Sequence, residues 1–512
     1  MLHLSRPIQE VLMQRGIEDP ATYLEPSAWG DLPSPHSLDG MAEAVHLIQC
    51  AIRNRRRIGV FGDYDCDGAL SSAILEATLR RLGAAPVVHL PHRDEGYGLN
   101  DAAVHRFSRT STNLLILIDN GINAVSPVRL AQRLGMTVLI VDHHQVETKA
   151  ETAAVWSDQM CAAGLAYMLS AALLEHTSSE EVFLQSLSRL AAIASIADCV
   201  PLVGVTRTLA RLGLHELART RHAGIRKLLS LSGVQPNQVP SAEQIAFRVA
   251  PRLNAAGRVA HPMEVLNMLT ASSPEEQSEQ ALQLDRLNQL RRRLERDALD
   301  ELTASVDVTG RSALVIFSPQ WKKGLAGILA SRARELYGLP TFVLVPDHRT
   351  GMAVGSGRSV EGLSLIEALR SCNGLLSKYG GHHQAAGVTL ALENISAFHA
   401  GLEDYLRAHP LPCKGPETPA VDLDLNAAGR SFYEQLRAME PFGIGNPVPV
   451  FRIRDCSLSA RSEKFATLRQ GPRDLKVRLS KPKVTGSEGT AYVALNGTSA
   501  TLLEFYASAR KH

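Results

Sequence analysis

Between residues 58 and 141 the apolar positions fall into short unbroken blocks: IGVF (58–61), VVHL (87–90), LLILI (114–118) and VLIV (138–141). Stretches of helical length, such as 69–82 and 124–134, separate them. Blocks that are apolar on both faces and alternate with helices predict a parallel sheet with crossover helices, an α/β unit. Helices are expected at 164–173 and 180–196, followed by one long polar helix over 262–302. Its charged surface lacks a sustained heptad seam, so it reads as an interdomain spacer. Beyond it, ALVIF (313–317) and TFVLV (341–345) flank helical GLAGILASRARELYG, giving a smaller α/β unit that runs to about residue 406. The Pro-rich tract 408–420 reads as a linker. Short strand patterns (VPVFRIRD, LKVRLS, GTAYVALNG) then predict a small β-domain. No internal repeat is visible.

Composition narrows the picture. A chain of 512 residues suggests about three domains, and 45% apolar content excludes a disordered chain. Lys+Arg 54 against Asp+Glu 52 leaves a formal charge of +2, so a polyanion would have to be held by local patches. One such patch is 452–483, with ten basic residues against Asp455, Glu463 and Asp474. It suits the backbone of a single strand, or protects an edge strand from aggregation. The stacking candidates there are Phe451, Phe465 and Tyr492, each of which also suits a core. Seven cysteines without a Cys-x-x-Cys pair argue against a disulfide framework and a structural zinc site. With no signal peptide and no membrane-length apolar run, a soluble cytoplasmic protein is expected.

The acids carry the chemistry. IGVF runs into Asp63-Tyr64-Asp65-Cys66-Asp67, LLILI into Asp119, and VLIV into Asp142-His143-His144. Ligands of open parallel sheets bind beyond the carboxyl ends of the strands, so these groups share one rim. An Asp after a strand is often only a helix cap. Three strand ends that all finish in acids or imidazoles exceed what capping needs, and crowded like charges call for cations. Carboxylates with imidazoles suit Mn²⁺ or Mg²⁺, and two such ions sharing a carboxylate perform phosphoester hydrolysis. Asp198, before CVPL, is a fourth candidate or a cap.

GDYDCDG, Asp119, VDHH and Asp198 resemble the motifs of the DHH phosphoesterases. More narrowly, the chain is similar to RecJ-type single-strand DNA exonucleases. The strings RGIEDP, RDEGYGLN, APRLNAAGR, GSGRS, GGHHQAAG and PFGIGNPVPVF occur in family order along nearly the whole chain. The resemblance implies an amino-terminal helical segment (1–50) and a DHH catalytic domain (51–205). A helical section with the long connecting helix (206–310), a DHH-associated domain (311–407), a linker (408–420) and an OB-like domain (421–512) follow. It implies Asp65, Asp67, Asp119, His143 and Asp198 as metal ligands for two ions, with Asp119 bridging. Asp63, Asp142 and His144 would orient the ligands or the attacking water.

On the substrate side, the resemblance implies that Arg93, Arg258, Ser356 and Arg358 gather the 5′ phosphate, with Asn254 near the entering nucleotide. Gly380, Gly381 and His382 would form a loop around a phosphate near the scissile bond. The implied activity is 5′-to-3′ hydrolysis of single-stranded DNA in repair and recombination. A helicase and a single-strand-binding protein would be further partners of a monomeric enzyme. Two alternatives stay open: a DHH phosphodiesterase or phosphatase acting on short oligonucleotides, cyclic dinucleotides or polyphosphate, and a catalytically silent single-strand-binding scaffold. The chain departs from the family's pattern at Trp321-Lys322-Lys323-Gly324 and at Gly204-Val205-Thr206-Arg207. The family also continues for several strands past AYVALNG, so an incomplete or differently closed barrel is expected.

Overall fold

The apolar blocks become neighbouring strands of an all-parallel sheet. β1 (Ile58–Phe61), β2 (Val87–His89), β3 (Leu114–Ile118), β4 (Thr137–Asp142) and β5 (Ala153–Trp156) lie in the order β2-β1-β3-β4-β5. The structure, a computed structural model, describes residues 4–25, 27–174, 180–410, 420–480, 486–497 and 499–507. Alternate strand residues enter opposite cores. Val60, Ile116, Ile118, Leu139 and Val141 pack on one face, and Phe61, Leu115, Leu117 and Ile140 meet Phe107 and Val128 on the other. Burial on both faces makes these strands read as continuous apolar runs. The edge strand β5 is buried only at Val155, and the pattern does not reveal it. From β1 the sheet extends one way to β2 and the other way to β3, so a crevice opens beyond the carboxyl ends of β1 and β3.

The helix expected over 262–302 is two helices, Met263–Thr270 and Pro274–Ser305. Between them Ser273 Oγ accepts from the Glu276 amide at 3.1 Å, the Glu276 carboxylate accepts from the Ser273 amide at 3.4 Å, and Pro274 opens the second helix. That capping box with Pro at the first helical position ends one helix and starts another.

The second unit is a mixed sheet of β6 (Leu314–Phe317), β7 (Thr341–Asp347), β8 (Met352–Arg358), β9 (Lys378–Gly381) and β10 (Ala385–Leu390). Its order is β6-β7-β8-β10-β9, and only β6 and β7 run parallel. GGHHQAAG, expected as a loop, is instead a hairpin: Gly380 and Gly381 end β9, and β10 begins at Ala385. GSGR is likewise strand β8, where Gly357 lies against the Phe342 ring.

The carboxy-terminal sheet begins with β11 (Val421–Asp422), parallel to β12 (Val450–Ala460). It continues through β13 (Phe465–Gln470), β14 (Arg473–Leu479), β15 (Gly486–Leu495) and β16 (Ala500–Ala507). The order β12-β13-β14-β16-β15 returns to β12 through the β12–β15 pairing, with β14 and β16 parallel, which closes a five-stranded OB-type barrel. Of the two outcomes expected, an incomplete or a differently closed barrel, the described strands give a closed one, because β16 bridges β14 and β15. The residues expected as one amino-terminal segment divide between two bodies. Ile8, Val11, Leu12 and Leu24 share the barrel's core with Leu436 and Phe451, whereas Met41, Ala44 and Ile48 pack on the parallel sheet. Residues 411–419 of the linker, with Cys413, and Lys481 and Lys483 of the basic window lie outside the described residues. Among the described residues no helix is long and apolar enough to cross a membrane.

Candidate metal centre and anion pocket

The crevice beyond β1 and β3 receives the acids. Asp65 caps the helix Cys66–Arg81, its carboxylate accepting from the Gly68 amide at 3.1 Å. Asp67, in the first turn, accepts from the Ala162 and Ala163 amides, each at 2.8 Å, at the start of the helix Ala162–Leu174. Asp119 follows β3 with φ 62°, a left-handed conformation that Asp and Asn tolerate better than other residues with a Cβ. The Asn120 side chain beneath it donates to the Ile118 carbonyl at 2.9 Å and the Phe61 carbonyl at 3.4 Å, tying the ends of β3 and β1 together.

His143 Nε2 is the focus. It lies 3.3 Å from Asp119, 3.5 Å from Asp198 and 3.6 Å from Asp67, is buried, and has no hydrogen-bond partner. Asp67, His143 and Asp198 form one group of converging ligand atoms, and Asp63, Asp65 and Asp119 form another; Asp119 touches both through His143. A divalent ion at ~2.1 Å from its ligands keeps neighbouring ligand atoms ~3.0–3.5 Å apart, so the spacing around His143 fits an ion. Asp63 Oδ1 is also buried and unpartnered. The donors are hard oxygens and one imidazole, which suits Mn²⁺ or Mg²⁺. Burial, then Asp65 and Asp67, pushes the Cys66 thiol well up, keeping it a neutral neighbour.

Crowding of buried acids sets the electrostatics. Burial first, then neighbouring carboxylates, pushes Asp119 and Asp198 well above the usual carboxylate range and raises Asp63 to about 8. Asp142 behaves differently. Burial raises it, but hydrogen bonds from His144, Ile122 and its own neighbours outweigh that and hold it low. It accepts from the His143 amide at 2.8 Å, the Ile122 amide at 3.0 Å and His144 Nδ1 at 2.7 Å. His144, pulled down by burial but lifted by Asp142, stands at about 9. Its Nε2 meets the Tyr97 hydroxyl at 2.9 Å. Asp142 therefore anchors His144, in keeping with the orienting role the resemblance implies.

Beside this centre lie the residues that the resemblance implies for a phosphate. The Arg93 guanidinium lies 3.9 Å over the Tyr64 ring and donates to the Gly257 carbonyl at 2.9 Å. Arg258 donates to the Gly324 carbonyl at 3.1 Å, and burial together with the charges of Arg93, Arg291 and Arg358 brings it down to about 9. Arg358 and Ser356, on β8, face Gly327 in the first turn of the helix Ala326–Tyr337. The four residues named from separate motifs thus converge, with a helix amino terminus behind them. Gly257 permits the approach, since a Cβ there would collide with the Tyr64 carbonyl oxygen. The Asn254 carbonyl oxygen of the side chain accepts from the Cys66 amide at 2.9 Å, so it ties the connector to the metal loop.

His382 Nδ1 meets Gln145 Oε1 at 3.0 Å across a cleft of about 690 Å³ that Glu147, Arg370 and Tyr379 also line. Gly380 and Gly381 form the same wall. Tyr64, Tyr97, Asn120 and Gln145 are not among the residues the sequence singles out. Tyr97 alone leaves a signal, an aromatic between Gly96 and Gly98 beside Arg93. On the barrel, Phe451 is core (0% exposed) and Tyr492 packs on Tyr506, whereas Phe465 is 53% exposed. Phe465 pairs across strands with Arg478, and Thr467 with Lys476. Of the basic residues, Arg452 and Arg454 are paired with Asp422, and Arg469 with Asp474.

Comparison with known proteins gives three domain matches: the DHH family, N-terminal domain, over residues 57–195, the DHHA1 domain over 310–408 and the RecJ OB domain over 420–494. The chain is 32% identical over 477 residues to the single-stranded-DNA-specific exonuclease RecJ of Bacillus subtilis, covering 89% of this chain and 60% of that one. It is 31% identical to the RecJ of Dickeya dadantii, covering 92% of this chain and 86% of the relative. The crystal structure of RecJ in complex with Mn²⁺ from Thermus thermophilus superposes with a TM-score of 0.83 at 28% identity, over 98% of this chain and 76% of that one. The chain thus spans less than two thirds of the length of the Bacillus relative.

Proposed function

Because the chain belongs to the RecJ family of single-stranded-DNA-specific exonucleases, we propose that it is a metal-dependent 5′-to-3′ exonuclease hydrolysing single-stranded DNA to 5′-mononucleotides. The observation that carries this reading is the unpartnered His143 Nε2 ringed by Asp67, Asp119 and Asp198 next to the arginine pocket. Asp65, Asp67, Asp119, His143 and Asp198 would hold two Mn²⁺ or Mg²⁺ ions, and Asp63 lies in one group with Asp65 and Asp119. Bound there, the ions supply an acidified water and neutralise charge on the phosphoryl oxygens.

The chain's own groups supply the rest. Arg93, Arg258 and Arg358, with Ser356, present forks that match a terminal phosphate, so the strand's 5′ end is held and its next linkage is laid toward the acids. Asp142 fixes the His144 ring, whose other nitrogen meets the Tyr97 hydroxyl, so the ring is oriented at the edge of the centre. Gly380, Gly381 and His382 border the strand's path along the cleft. The barrel offers Phe465 for stacking beside Lys476 and Arg478. We assign the protein to the cytoplasm as a monomer acting in DNA repair and recombination, fed by a helicase or a single-strand-binding protein.

The test is digestion of a 5′-labelled single strand and its duplex with Mn²⁺ or Mg²⁺, repeated with Asp119→Ala. Metal-dependent release of labelled mononucleotide from the single strand alone, lost in the variant, is expected. Hydrolysis of polyphosphate or a cyclic dinucleotide with intact DNA would overturn the reading.

A further inference from the structure

Asp198 is placed differently from the other acids of the centre. Asp63, Asp65 and Asp119 lie on turns that leave sheet strands, and Asp67, in the first turn of the helix Cys66–Arg81, is gripped by two amides. Asp198 instead follows the end of the helix Glu180–Ala197 and is 27% exposed at its side chain; among the described residues no donor grips its carboxylate beyond the approach of His143. The helix holds it from one side, its amide donating to the Ala194 carbonyl at 2.8 Å, and the residues after it hold it from the other. Cys199 is left-handed (φ 60°), and Val200 and Leu202 are buried.

What holds them comes from the carboxy-terminal body. The Leu202 amide donates to the Ile444 carbonyl at 2.7 Å, in the turn between the helix Arg430–Ala438 and β12. Gly445 (φ 73°) lies against Pro201 and Val203, so a side chain there would wedge the two segments apart. Arg207 donates to the Ala438 carbonyl at 3.0 Å and the Glu440 carbonyl at 3.4 Å, and its guanidinium covers the Tyr23 ring at 4.0 Å. Asn446, only 2% exposed, sits at the hub of this contact. Its amide donates to the Met439 and Pro441 carbonyls at 2.9 and 2.8 Å, and its oxygen accepts from the Tyr23 hydroxyl at 3.1 Å and from Arg15. A buried amide with every group used fixes one conformation of the turn.

We propose that Asn446 is a positioning residue for the metal centre: by shaping the 439–447 turn against the Asp198 loop, it holds Asp198 beside Asp67 and His143. The inference rests on the metal reading above. Docking of the barrel and the amino-terminal helices therefore completes the ligand set, and a centre whose turn is loosened keeps the group of Asp63, Asp65 and Asp119 while losing the group of Asp67, His143 and Asp198.

The experiment uses the full chain with Mn²⁺ alone as probe. Binding of two ions is followed by calorimetry and by the electron-spin signal of free Mn²⁺, and deuterium uptake is read over residues 198–204. Asp198→Asn serves as the reference, with Asn446→Ala and the milder Tyr23→Phe, which removes only the hydroxyl, as the tests. Asn446→Ala is expected to weaken one of the two Mn²⁺ sites about tenfold, leave the other unchanged and speed exchange in 198–204. Its single-strand affinity without metal should stay within about twofold of the parent. Tyr23→Phe should weaken the same site two- to fivefold, and it decides the matter if Asn446→Ala does not fold. Folded variants with both Mn²⁺ affinities intact overturn the proposal. If Asp198→Asn also binds two ions normally, the metal assignment of Asp198 has failed instead.

Discussion

His143 Nε2 stands 3.3 Å from Asp119 Oδ1, and Asp119 reaches that point only from a left-handed backbone (φ 62°). Charge and conformation can be separated there, because Asn accepts the same backbone without the carboxylate. Asp119→Asn should raise the melting temperature of the metal-free protein, since it removes one of several crowded acids whose charged forms burial already disfavours. It should also abolish the stabilisation that Mn²⁺ gives the parent, about 2.7 kcal/mol at a hundredfold excess over Kd. Nuclease activity should fall by at least about a thousandfold. Thermal melts with and without Mn²⁺ decide it, and a parent-like Mn²⁺ response in the variant removes Asp119 from the ligand set.

The anion pocket depends on a backbone contact rather than on charge alone. Gly257 lies where a Cβ would strike the Tyr64 carbonyl, and its own carbonyl holds Arg93 at 2.9 Å. Gly257→Ala should push the helix Ala250–Val259 away from the metal loop and separate Arg93 from Arg258. The expected result is a KM for 5′-phosphorylated strands raised about tenfold or more, roughly 1.4 kcal/mol, with Mn²⁺ affinity little changed. An unchanged KM would show that the two arginines do not act through this contact.

The parallel sheet was legible because two-sided burial writes itself as LLILI and VLIV, and the metal centre because the acids follow those strands directly in sequence. The second sheet was only half legible. Gly355, Gly357 and Gly381 sit on strands where close packing or a hairpin excludes side chains, and strands rich in glycine carry no apolar alternation. The roles of Tyr97 and Asn446, which stand in the strings RDEGYGLN and PFGIGNPVPVF, were illegible for another reason. Each works through a partner distant in sequence, His144 for one and Tyr23 for the other, and no local pattern announces such a pairing. Part of the basic window's promise also depended on tertiary partners, because Asp422, outside the window, takes up Arg452 and Arg454.

The barrel's remaining cations are therefore the ones to test. Among the described residues Lys476 and Arg478 have no carboxylate partner, and they flank the exposed Phe465 across β13 and β14. Phe465→Ala should weaken single-strand binding by ~1–3 kcal/mol with an unaltered salt slope. Lys476→Ala and Arg478→Ala should each reduce the slope of log Kobs against log salt by about 0.7. Arg452→Ala, whose charge is already taken by Asp422, should change that slope less. Equal slopes for all three variants would place the strand elsewhere on the barrel.

Burial raises the Glu440 carboxyl from its ordinary 4.5 to about 7, against the opposing pull of Arg437 and Arg211. A folded-state pKa above the unfolded one means that the native protein binds this proton more tightly. The stability tied to it is fully present below about pH 4.5 and is lost as pH rises through about 7, after which the loss is constant. Glu440→Gln keeps the shape and removes the charge. It should therefore leave stability nearly unchanged near pH 4.5 and increase it by roughly 1–2 kcal/mol at pH 8, the full shift being discounted because solvent reaches part of the side chain. Urea unfolding at both pH values measures this difference, and a variant equally stabilised at pH 4.5 and pH 8 would show that packing, not the proton, is responsible.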